Sequence, residues 1–171
     1  KQGARFRTGT DTEVLLEGCA SWGIVETVGR LHGMFAFAVF DQFDKTLHLV
    51  RDRIGIKPLL LWSDERSAAF GSDLRSLEAC PLIDDALDQQ AVADLLQHGC
   101  IGRGRTILSA VRKVDPGTIV TIRNESGKIS LCNEAYWDPV SVARTSRGRY
   151  KDCDVQDAAS VLEPVLRRVV E

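Results

Sequence analysis

The sequence predicts an α+β domain in which antiparallel strands pack against helices. Apolar residues alternate with a period of two over 34–40 and 46–51, and they recur at helical spacing over 11–22 and 87–99. The strand-like runs also come in groups joined by short turns, instead of alternating one by one with helices. At 171 residues the chain is long enough for one sizeable core.

Taking the elements in order, Thr10 and Glu13 have the spacing of an S/T-x-x-E capping box. Val14, Leu15, Gly18, Cys19 and Trp22 follow at helical intervals, so a helix is expected from about Asp11 to Trp22, with Gly23 as its stop. "VETVGRLHG" reads as a short second helix leading to a strand. In "MFAFAVF", Phe35, Phe37 and Val39 fall on one face and Met34, Ala36, Ala38 and Phe40 on the other. With both faces apolar, this strand is expected in a covered sheet.

"DQFDK" is a turn, "TLHLVR" a second strand, and "PLLLW" and "AAFGS" a third and fourth, which together predict an antiparallel meander. Gly55 and Pro58 punctuate the loop after Arg51, and residues 63–67 make the next turn. "DLRSLEAC" suits a short helix. A stronger helix spans "LDQQAVADLLQHG", with Asp88 as N-cap, Val92, Leu95 and Leu96 inward, and Gly99 as the stop. "VRKVDPGTIVTI" and "GKISLCNEAYW" are two more strands, joined by a hairpin over 124–127. Beyond Trp137 a polar, basic stretch without periodicity reads as an exposed linker, followed by an amphipathic helix in "VQDAASVLEPVLRRVVE".

Charge and composition narrow the partners. With 22 Lys and Arg against 24 Asp and Glu, and a net charge of −2, the chain has no field suited to nucleic acid. "GMFAFAVF" and "PLLLW" are too short to span a membrane, and the first residues do not form a signal peptide, so a cytoplasmic location is expected. The five cysteines are widely spaced, without a Cys-x-x-Cys, and read as reduced, mostly buried thiols. His32, His48 and His98 are scattered, so no metal site is expected.

No catalytic triad, zinc helix or phosphate loop occurs, and "GCIGRGR" follows a helix and lacks a third glycine. Asp11, beside a helix N-terminus, could receive an ammonium group or could simply complement the helix dipole. Arg51, Asp52, Arg53 and Lys57 could make an anion or interdomain contact, although loop charges of this kind usually form a solvated rim worth little. Trp22, Trp62 and Trp137 read as packing anchors.

Taken in order, "FRTGTDTEVLL", "VGRLHGMFAFAVFD", "LVRDRIGIKPLLLW", "FGSDLRSLEACP", "LLQHGCIGRGRTILSAVRKVDPGTIVTI" and "YWDP" closely resemble the glutaminase domain of glutamine-hydrolysing asparagine synthetases. The resemblance implies an N-terminal-nucleophile hydrolase fold, two antiparallel sheets sandwiched between helices, here incomplete at its N-terminus. It also implies a glutaminase portion over 1–139, a linker over 140–154 and the first helix of a synthetase domain over 155–171. In such domains an N-terminal cysteine thiolate attacks the glutamine side-chain amide, its own α-amino group acts as base, and the ammonia passes to the synthetase domain.

By the same resemblance Asp11 matches the acid that holds the glutamine ammonium, and Glu13 remains a capping residue. The nucleophilic cysteine, the carboxylate-binding arginine and the oxyanion element are expected upstream of Lys1, so this segment alone is not expected to hydrolyse glutamine. The sheet edges are then expected to be unpaired and prone to association. No cofactor is expected in the segment; ATP and Mg are expected of the synthetase domain, which activates a carboxylate such as aspartate. The implied partners are glutamine and the synthetase domain of the same polypeptide, with a homodimer left open. Ser72-Asp73 departs from the Ser-Glu usual at that point. Two other readings stay open: a non-catalytic domain of the β-lactam-synthetase type and an assembly domain.

Overall fold

A computed structural model describes residues 6–146 and 154–170. The described chain divides into two units, one ending at Trp137 and one beginning at Asp138. In the first unit the helix α1 (Asp11–Trp22) is followed by α2 (Ile24–Arg30), and Gly23, with φ of 79°, turns the chain between them. Strands β1 (Ala36–Asp41), β2 (Thr46–Arg51), β3 (Leu60–Ser63) and β4 (Ala68–Gly71) come next. The helices α3 (Leu74–Glu78) and α4 (Gln89–His98) precede β5 (Arg112–Lys113), β6 (Thr118–Glu125) and β7 (Lys128–Ala135).

The strands form two antiparallel sheets, a four-stranded one in the order β1-β2-β6-β7 and a three-stranded one in the order β4-β3-β5. The expected single meander is therefore split, because β2 pairs with β6 and β3 opens the second sheet. Loop 52–59 carries the chain from one sheet to the other, which short-range alternation cannot reveal.

Side-chain alternation sets the layers. Leu49, Val120 and Ile122 of the four-stranded sheet meet Leu59, Leu61 and Val114 in the core between the sheets. On the sheet's opposite face Val50 and Ile119 pack with Val28 of α2, and Phe35 and Phe37 lie against that cluster. The outer face of the smaller sheet buries Leu60 and Trp62 against Leu77 of α3 and against Leu108 and Val111.

The close approach of α1 and α2 rests on Gly18, where an added Cβ would lie 2.9 Å from Thr27 Cγ2. Thr27 cannot rotate away freely, because its hydroxyl donates to Gly23 O at 2.7 Å. Gly18→Ala gains up to about 1 kcal/mol of helix propensity but overpacks by about 1–3 kcal/mol, so a net loss of about 1 kcal/mol in urea denaturation is expected.

Several expectations need correction. β1 is an edge strand and only partly covered, with Phe40 and Met34 exposed. On α4 the buried residue is Ala91, while Leu95 and Leu96 are exposed. Asp88 caps α4 through the N–H groups of Gln90 and Ala91, and Gly99 ends it in the left-handed region, both as expected. The thiols are not mostly buried: Cys19 and Cys80 are half-buried, Cys100 and Cys132 are exposed, and Cys153 lies outside the described residues. Of the tryptophans, Trp62 is a core anchor, whereas the ring of Trp22 is partly exposed and carries the Arg30 guanidinium at 4.4 Å.

The second unit contains the helices α5 (Pro139–Ser146) and α6 (Val155–Val170). The start of the stretch expected as a linker is thus helical, capped by Asp138, which accepts the Ser141 N–H at 2.8 Å and the Ser141 hydroxyl at 2.7 Å. Residues 147–153 lie outside the described residues. The amphipathic helix expected after the stretch is present, with Pro164 inside it and Leu162 and Leu166 exposed.

Candidate functional site

The N-terminus of α1 is built differently from the expected capping box. Thr10 occupies the N-cap position with extended backbone but makes no side-chain cap bond; its hydroxyl instead shares a 2.9 Å hydrogen bond with that of Thr8. Glu13 accepts the Arg7 N–H at 2.7 Å, and the Thr8 N–H and hydroxyl each at 2.6 Å. The Thr8 hydroxyl, followed by these two N–H groups, holds the Glu13 carboxyl below its usual range. Glu13 therefore ties down the incoming turn and leaves Asp11 and Thr12 to face a cleft.

That cleft, of about 520 Å³, is lined by the first two turns of α1 (Asp11, Thr12, Leu15, Leu16), by residues 34–39, by Lys57 and Pro58, and by Ser72. Asp11 and Lys57 thus come together from distant parts of the chain. Neither side chain makes a hydrogen bond or ion pair with a described residue. An anion and a cation on apolar walls, unpaired among the described residues, suit a ligand with an ammonium and a carboxylate on an apolar stem. Lys57 and Ser72 have no local sequence signal for this role, because only the crossing between sheets brings them to Asp11.

The loop that presents Lys57 is not the solvated rim expected from its charges. Asp52 is 1% exposed, and its Oδ1 accepts the N–H groups of Ile54, Gly55 and Ile56 at 3.1, 2.7 and 3.0 Å. Its Oδ2 accepts the Lys57 N–H at 2.9 Å. Burial alone would raise this carboxyl, but the four N–H donors outweigh it and lower it below the usual range. Arg51 donates to three carbonyls, Lys57 O at 2.9 Å, Val114 O at 2.6 Å and Gly55 O at 2.8 Å. The sequence signal that could have shown this is Asp52 with Gly55 three residues on, since Gly55, with φ of 74°, supplies the left-handed turn that aims successive N–H groups at one anion.

Residues 1–137 match the glutamine amidotransferase domain family. The chain belongs to that family. Among its relatives, asparagine synthetase [glutamine-hydrolyzing] 3 of Bacillus subtilis is 30% identical over 148 residues, covering 84% of this chain and 23% of the relative. Asparagine synthetase [glutamine-hydrolyzing] 1 of the same organism is 34% identical over 122 residues, covering 71% of this chain and 19% of the relative. Asparagine synthetase [glutamine-hydrolyzing] 3 of Arabidopsis thaliana is 42% identical over 74 residues, covering 43% and 13%. The chain therefore spans less than a quarter of the length of these relatives.

Within this amidotransferase domain none of the four described cysteines lines the Asp11 cleft. Asp73, the departure from the usual glutamate, caps α3 by accepting the Ser76 N–H at 2.8 Å, while its neighbour Ser72 lines the cleft. Among the described residues no group of three or more His, Cys, Asp or Glu could hold a metal ion. Nor is any described helix long and apolar enough to cross a membrane.

Proposed function

We propose that this chain is the glutamine-handling portion of a glutamine-hydrolysing asparagine synthetase of the N-terminal-nucleophile type, and that Asp11 receives the ammonium of the substrate glutamine. The observation that carries the reading is the Asp11 carboxylate, without a partner among the described residues, in the lining of an apolar cleft in an amidotransferase domain. A carboxylate and an ammonium form a charge-assisted contact there, and Leu15 and Leu16 offer an apolar surface to the methylenes of the ligand.

The reading assigns the nucleophilic cysteine to a segment upstream of Lys1. β1, the edge of the four-stranded sheet, contributes to the cleft wall, so a strand added along it would bring a thiolate beside the bound amide. The cysteine α-amino group takes the thiol proton, the thiolate attacks the amide carbon, and the C–N bond breaks as that proton passes to the nitrogen, releasing ammonia and leaving a thioester; water then opens the thioester to glutamate and restores the thiol. The ammonia goes to a synthetase domain that begins at about residue 155, joined through a linker over 140–154, and that amidates an adenylated carboxylate such as aspartate in the cytoplasm. The homologues named for that reaction support this assignment.

The test is titration of the protein with L-glutamine, comparing it with Asp11→Asn. Loss of one charge-assisted contact is expected to weaken binding about tenfold to a hundredfold. Equal affinity in the variant would return Asp11 to the role of a helix acid.

A further inference from the structure

Two residues that do not line the cleft control its walls. The backbone N–H of Asp52 donates to Phe35 O at 2.9 Å, in the part of the lining formed by residues 34–39, and its carboxylate holds the N–H of Lys57, another lining residue. Arg51 takes the other backbone group of the same residue, Lys57 O. Lys57 is thus gripped at both its N–H and its C=O by one dipeptide.

The dipeptide is itself fixed from behind. The Tyr136 hydroxyl donates to Arg51 O at 2.8 Å and the Gly117 N–H donates to Asp52 O at 2.9 Å. The loop between has little apolar anchoring, since Ile54 is 66% and Ile56 55% exposed. Buried Leu59 anchors the far end of the Lys57 wall, and between Asp52 and Lys57 the chain is held by the charge-to-backbone bonds.

We infer that Arg51 and Asp52 are positioning residues for the substrate, holding the Lys57 wall at a set distance from the Phe35 wall and from Asp11 without touching the ligand. This rests on the reading of the cleft as a glutamine site. A wall that is already ordered loses little freedom when the ligand arrives, so loosening the clamp lowers affinity while leaving every lining residue in place.

The experiment is an NMR titration of the isotopically labelled protein with L-glutamine, well below its melting temperature. Asp52→Asn turns one acceptor into a donor facing a backbone N–H, and Arg51→Lys keeps the charge but loses the three-carbonyl fork. Leu77→Ala, in the outer core, is the reference for general destabilisation. Both clamp variants are expected to bind glutamine about tenfold more weakly and to lose the ligand-induced shift of the Lys57 amide, while Leu77→Ala keeps both. Unchanged affinity in the clamp variants, or an equal loss in Leu77→Ala, overturns the positioning role while the glutamine reading stands. No binding by the unsubstituted protein overturns the glutamine reading and the positioning role with it.

Discussion

Replacing Asp52 with alanine is expected to lower folding stability by about 4 kcal/mol, because it removes the side-chain acceptor of four backbone N–H groups, of which Gly55 alone keeps a second acceptor, the Asp52 carbonyl at 3.1 Å. Each orphaned donor could cost about 1–3 kcal/mol if it stayed dry, but the exposed Ile54 and Ile56 let water reach part of the loop and reduce the sum. The Arg51 guanidinium, bonded to carbonyls of the same loop, would lose the stronger of the two carboxylates that favour its charge. The effect also has a pH signature. The Asp52 carboxyl sits below its ordinary value of 3.8, so its contribution is complete above that value and is lost as pH falls through the lower folded-state value. In urea denaturation across pH, the gap between the protein and Asp52→Ala should be level near neutrality and narrow below about pH 4. A gap that stays constant into strong acid would show that the loop does not depend on the ionised carboxylate.

Asp52 also shows where the sequence stopped being informative. Helix α1 was legible to its ends, because apolar spacing and Gly23 are local signals that the backbone obeys locally. The same holds for α4, whose cap and stop were both readable, and for the Ser126-Gly127 turn joining β6 to β7. Whether β3 continues the sheet of β2 or opens another depends on pairing with β5 and β6, some fifty or more residues later in the chain. The bonds of loop 52–57 are hidden for a related reason: counting charges favours a solvated rim, whereas the partners of Arg51 and Asp52 are backbone groups that no residue identity announces. The cleft was half legible. Asp11 is marked by its helix position and by the family resemblance, but Lys57 and Ser72 join it only because the chain crosses between sheets. The capping box that the spacing of Thr10 and Glu13 suggests does not form, because Glu13 accepts from residues 7 and 8 and Thr10 makes no side-chain cap bond.

Leu61→Ala should test whether the two sheets behave as one unit. Leu61 is 0% exposed in the central strand of the smaller sheet, within the cluster that includes Leu49, Val120 and Ile122 of the larger one. Truncation removes three buried heavy atoms and leaves a cavity between two hydrogen-bonded layers, which cannot collapse without disturbing their pairing. A loss of about 4 kcal/mol is expected, in the upper part of the range for buried leucines. Leu96→Ala on α4, where the side chain is 83% exposed, should change stability by no more than about 0.5 kcal/mol. If the inter-sheet core joins both layers cooperatively, Leu61→Ala shifts the urea midpoint with its slope unchanged, and probes in β2 and β3 unfold together. Separate transitions for the two strands would mean that each sheet is held mainly by its own helices, Val28 on one side and Leu77 on the other, and that the core between them contributes less than its burial implies.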